Sequence, residues 1–140
     1  MSPQTEKKIK SSFAAQAMMA TLGARLTHIS KGKVEISAPI LPGSLQQHGF
    51  AHAALTFAIG DSAAGYAALS IMSDDHEVLT SEMKIHLLAP ARGDLLVARG
   101  RVIKPGRRLV IVQADVHART GTDEVHVALL TGTMVPVPAM

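Results

Sequence analysis

The chain has 140 residues, 47% of them apolar, and a net charge of +3 with histidines neutral, a composition that suits one globular domain with a core of its own. It contains no cysteine, which excludes thiolate catalysis, iron–sulfur clusters and cysteine-based zinc sites. Phe13, Phe50, Phe57 and Tyr66 are its only aromatic residues, so the core is mostly aliphatic and stacking platforms for single-stranded nucleic acid are disfavoured.

Residues 1–10 are polar, with Lys7, Lys8 and Lys10, and lack the apolar stretch of a secretion signal, so a cytoplasmic location is expected. Ser11 or Ser12 is expected to cap a short helix that runs to Leu22, with Phe13, Ala17 and Met18 on one stripe and Gly23 ending it. Residues 25–30 and 33–38 alternate in polarity about Lys31-Gly32 and read as a hairpin. A loop follows over 39–47, with its turn at Pro42-Gly43.

Residues 51–72 read AHAALTFAIGDSAAGYAALSIM, a helical stretch with no clearly polar face. It is long enough to span a bilayer, but Asp61 at its centre would be costly there with no second span to shelter it, so burial inside the protein is the expectation. Strands are then predicted over 77–88, 94–104, 108–119 and 124–135, with turns at Pro105-Gly106 and Gly121, as an antiparallel meander. One apolar helix and about six strands pack economically if the sheet curls around the helix. The predicted architecture is thus an α+β hotdog fold over 1–140, with 51–72 as its central helix.

Asp61 is the strongest candidate for chemistry. Its helix face also holds Ala54, Phe57, Ala58, Ala64 and Gly65, which offer no positive partner, so its pKa is expected to be raised. The start of the helix is the second candidate, because its first N–H groups lack intrahelical partners and can polarise a carbonyl. Gln46, Gln47, His48 and His52 cluster beside it. His48 and His52 have a metal-pair spacing but no third ligand in register, so no metal is expected. Arg92, Lys104, Arg107 and Arg108 lie in or beside turns and are expected to form a rim for a phosphate-bearing ligand rather than for nucleic acid.

Gln46, Gly49, His52-Ala53-Ala54 and Asp61, together with the strand segment MKIHLLAPARGDLLVARGRVIKPGRRL, resemble the hotdog acyl-CoA thioesterases of the phenylacetate-pathway type. That family's pattern has Asn, then Gly three residues on, then His-Gly-Gly, then an acidic residue nine positions after the His. Here Gln46 stands for the Asn and Ala53-Ala54 for the Gly pair. The resemblance implies hydrolysis of an acyl-CoA, with Asp61 as nucleophile or general base and the Ala53 N–H on the thioester carbonyl. It places Gln46 and His52 beside them, and Thr80 near the acyl group; Gln47, Phe50 and Phe57 are further substrate-contact candidates. No separate cofactor is implied, since coenzyme A belongs to the substrate. Ala53 and Asp61 are roughly 12 Å apart along a helix, too far to share one thioester within a chain. A homodimer with antiparallel helices and two composite sites is therefore expected, with pairing of dimers into tetramers open. The alternatives are a hotdog protein that binds acyl-CoA without turnover, and a hotdog hydratase or dehydratase.

Overall fold

A computed structural model describes residues 1–140. In chain order the elements are α1 (Pro3–Ala15), α2 (Ala17–Leu22), β1 (Arg25–Ser30), β2 (Lys33–Pro39), a 3-10 turn (Pro42–Ser44), α3 (Ala53–Leu69), β3 (His76–Leu87), β4 (Leu95–Lys104), β5 (Val110–Thr120) and β6 (Asp123–Pro138). All strand pairs are antiparallel, in the order β1-β2-β4-β5-β6-β3, and the sheet wraps α3 in the hotdog arrangement.

Small side chains make that wrapping possible. Ala63, Ala64, Ala67 and Ala68 of α3 are fully buried, as are Ala98, Ala114 and Ala128 of the sheet. At Gly100 the backbone of β4 passes so close to α3 that an added Cβ would lie 2.4 Å from the carbonyl carbon of Ala63. Any larger residue there must push the sheet off the helix. Ile59, Leu55, Leu69, Leu96, Leu130 and Met134 fill the remaining space, each contributing roughly 1.5–3 kcal/mol by burial.

Three expectations are corrected. The polar N-terminal segment is helical: Ser2 caps α1 by accepting the Thr5 N–H at 3.0 Å, and Pro3 begins the helix. Its few apolar residues understate it, because Ile9 alone is fully buried while polar groups dock the rest. Lys8 Nζ donates to the carbonyls of Asp74 and His76 at 2.6 and 2.7 Å, and Thr5 bonds Asp74. The helix expected to run to Leu22 is broken at Gln16, whose extended backbone (φ −76°, ψ 101°) separates α1 from α2. Finally, only β4, β5 and β6 form a meander. β3 pairs with β6, from His76 with Pro138 to Leu87 with Ala128, while β4 pairs with β2. Local turn signals cannot report this exchange, which depends on the β3–β4 connection crossing the start of α3, where the Ala51 N–H donates to the carbonyl of Ala91 at 2.8 Å. No helix is long and apolar enough to cross a membrane.

Candidate active site

One side of α3 is left open by the sheet. Ala54 and Phe57 are exposed there and Ala58, Asp61 and Ser62 half-buried, positions that a helical period places on one face. Asp61 is the only charged residue among them, and its Oδ1 accepts a hydrogen bond from Thr80 Oγ1 at 2.8 Å. Thr80 reaches it from β3, next to an irregularity of pairing at Ser81 that gives β3 one extra residue against β6. Such a bulge re-aims the side chains beside it. Burial pushes the Asp61 carboxyl up from its ordinary value, and the Thr80 hydroxyl only partly offsets this. No cation pairs with it.

Asp61 and Thr80 line a cavity of about 240 Å³ that also takes in Ser12, Gln16 and Tyr66. Ser12 and Gln16 carry no recognisable motif, and the helix break that delivers Gln16 has no glycine or proline to announce it. Tyr66 was legible only as an apolar wall residue.

A second cavity, of about 510 Å³, lies at the start of α3 and is lined by Gln46, Phe50, His52, Ala53 and the segment Leu87–Ala91. His52 is the N-cap, and its Nδ1 accepts the Ala54 N–H at 2.9 Å. The Ala53 N–H has no protein partner and carries the positive end of the helix dipole. Gln46 uses its side-chain carbonyl on its own turn, accepting the N–H groups of His48 and Phe50. Its amide NH₂ has no protein partner. Gln47 is exposed outside this cavity, and Phe57 stands 36% exposed on the open face of α3.

The cations do not form one rim. Arg92 is exposed in the loop before β4, beside the start of α3. Lys104, Arg107 and Arg108 are exposed at the opposite end of β4, roughly 30 Å away along a ten-residue strand. Arg107 lines a third cavity, of about 600 Å³, beyond the end of α3 with Ile71, Met72, Ser73 and His76. Within one chain, then, the helix start, the carboxylate and the basic turn occupy three separate places.

Residues 48–125 match the thioesterase superfamily. The whole chain is similar to the crystal structure of a thioesterase family protein from Silicibacter pomeroyi, with 40% identity and a TM-score of 0.93 over 96% of this chain and 99% of the other. It also matches the PaaI protein of the Escherichia coli phenylacetic acid degradation operon at a TM-score of 0.85, over 98% of this chain and 96% of that one. At 20% identity this second likeness speaks for the fold. A Saccharolobus solfataricus protein provisionally named an esterase is 23% identical over 94 residues, which span 67% of this chain and 66% of that relative. Together with the motif at Gln46, Gly49, His52 and Asp61, these likenesses bear out the family expected from the residues.

Proposed function

The chain belongs to the thioesterase superfamily, and on that premise we propose that it hydrolyses acyl-CoA thioesters with Asp61 as the reacting carboxylate. The observation that carries the reading is a half-buried aspartate with a raised pKa, no cation and one hydroxyl donor, aimed into a cavity on the open side of α3. Its other oxygen is free to take a proton from water or to attack the thioester carbon itself. In either case water supplies the oxygen of the product acid, the carbon–sulfur bond breaks, and the departing sulfur takes up a proton to leave as the free thiol.

The carbonyl needs a donor as charge develops on its oxygen, and the unpartnered Ala53 N–H at the positive end of α3 is suited to that task. Eight residues of helix separate it from Asp61 in the same chain, so we infer a composite site built by two copies. The surfaces for this exist. The outer edge of β3 is unpaired along a twelve-residue strand, and Leu79 and Leu87 are 48% and 61% exposed on it. Such an edge templates pairing with another chain. Pairing there in antiparallel sense sets the open faces of two α3 helices against each other, with Phe57 between them. The Ala53 end of one then meets Asp61 of the partner subunit. Lys104, Arg107 and Arg108 supply charge for the phosphates of coenzyme A, which enters as substrate.

Release of free thiol from a panel of acyl-CoAs tests the reading. Wild type is expected to release it, and Asp61→Asn to lose roughly 10²–10⁴-fold in kcat while still binding acyl-CoA. Wild type that binds acyl-CoA and releases no thiol is a binding protein instead. An Asp61→Asn variant with full activity moves the chemistry elsewhere.

A further inference from the structure

The Asp61 cavity has a polar far end. Tyr66 lies five residues beyond Asp61 on α3, about 7.5 Å of helix rise, and is only 5% exposed. Its ring stands edge-on to Phe13 with centroids 6.4 Å apart. Its hydroxyl meets Ser12 Oγ at 2.9 Å and accepts a hydrogen bond from Gln16 Nε2 at 2.8 Å. Both partners come from the N-terminal helices, at the break between α1 and α2.

Gln16 occupies this place against local helix preference. As N-cap of α2 it makes no side-chain bond to the helix it opens, a position where Ser, Thr, Asp or Asn would satisfy an orphan N–H. Its amide is turned toward Tyr66 instead. Departures of this kind from local rules concentrate at functional positions. One N–H of that amide is used by Tyr66, whereas its second N–H and its Oε1 have no protein partner. A hydroxyl, which both donates and accepts, matches that pair. An anionic group does not, because Asp61 and Glu77 also line the cavity and the nearest cation, Lys8, lies 3.7 Å from Glu77. The volume of about 240 Å³ equals that of about eight waters, which limits the acyl group to a short one.

We propose that Gln16, held by Tyr66 and Ser12, determines acyl specificity by selecting a short acyl group that ends in a neutral hydroxyl. The inference rests on the hydrolytic reading of Asp61 but is separable from it. A site built to hydrogen-bond a substrate hydroxyl rejects the analogue that lacks it, because its own polar groups are then left unpaired.

The test compares 6-hydroxyhexanoyl-CoA with hexanoyl-CoA. The full chain is expected to favour the hydroxylated substrate by about ten-fold or more in kcat/KM, a small fraction of what a fully enclosed site achieves. Gln16→Met is expected to bring the ratio to about one while leaving turnover of hexanoyl-CoA largely unchanged, and Tyr66→Phe to lower the ratio by freeing Gln16. A ratio near one in the wild type overturns the proposal, as does a loss in Gln16→Met that falls equally on both substrates. Equilibrium binding of the same two compounds to Asp61→Asn gives a second ratio that needs no turnover. If that ratio exceeds one while wild type releases no thiol, only the hydrolytic reading falls. If it equals one, or neither compound binds, specificity through Gln16 is overturned.

Discussion

Two carboxylates of this molecule show opposite treatment by the same fold. Glu124, on β6, lies on the sheet face turned away from α3 and accepts hydrogen bonds from Arg99 at 3.0 and 2.9 Å and from Arg119 at 3.0 and 2.7 Å. These two guanidinium groups hold its pKa down at about 2. Asp61, on the open side of α3, has a single hydroxyl donor and a pKa raised by burial. Cations are not scarce, since 14 lysines and arginines face 11 acids, so the contrast is one of placement. Arg99 also bonds Glu35 at 3.0 Å, which ties β2, β4 and β6 together across the outer face. Where the carboxylate serves the sheet it is neutralised, and where it faces a cavity its charge is left uncompensated and available for reaction.

Asp61→Asn probes that contrast most strongly, because its effects on activity and stability have opposite signs. Alongside the 10²–10⁴-fold fall in kcat, its Tm at pH 7 is expected to rise. A carboxyl whose pKa is higher folded than unfolded binds more protons in the native state, so wild type loses stability as pH rises from its ordinary value through the raised one. The amide has no such loss. Parallel melts across pH check this, and a variant that is destabilised at pH 7 would make Asp61 a structural partner of Thr80 instead. Next in size is the double change Arg107→Ala with Arg108→Ala. It is expected to raise KM about ten-fold with kcat little changed, as for removal of charge-assisted contacts to a phosphate. An unchanged KM removes that turn from the substrate path.

Thr80→Val gives a smaller effect that reads the Asp61 environment directly. The hydroxyl is the one group holding the carboxyl down, so its loss raises the pKa further. Activity that needs the carboxylate then falls away at a higher pH on the acid side, while the plateau at alkaline pH is kept. A pH–rate profile measured under subsaturating substrate shows this shift. If the acid limb stays in place, the titrating group is not Asp61.

Much of this arrangement could be read from residues alone. The alternation in β1 and β2 and the turns at Gly32, Pro105-Gly106 and Gly121 place the strands within about two residues of their observed ends. The alanine-rich stretch around Asp61 announces a helix enclosed by something, and Ala53 and Asp61 are visible as the two ends of a site. What could not be read are contacts between distant parts of the chain. The pairing of β3 with β6 is decided by a connection across α3, and α1 is held by Lys8 and Thr5 on Asp74, nearly seventy residues away. Gln16 and Ser12 reach Tyr66 by the same docking. The basic residues failed to form one rim for a related reason: turn residues close in sequence to one strand lie at its two ends in space.

The smallest expected effect belongs to the other member of the comparison. Glu124 has a pKa lowered from 4.5 to about 2, so it contributes stability above its unfolded value that is lost as pH falls between about 4.5 and 2. Its side chain is 24% exposed and those of Arg99 and Arg119 are 40% and 35% exposed, so solvent screens much of the interaction. Glu124→Gln is accordingly expected to cost no more than about 1 kcal/mol at pH 7. Urea melts of the two proteins should converge as pH falls toward 2, and salt should narrow the gap at pH 7. Catalysis should be untouched, because the outer face of the sheet shares no cavity with Asp61. A gap that persists at low pH would show that Glu124 acts through packing of its methylenes; a loss of turnover would mean that the outer network also sets the position of β6, and through Met134 the wall of the Asp61 cavity.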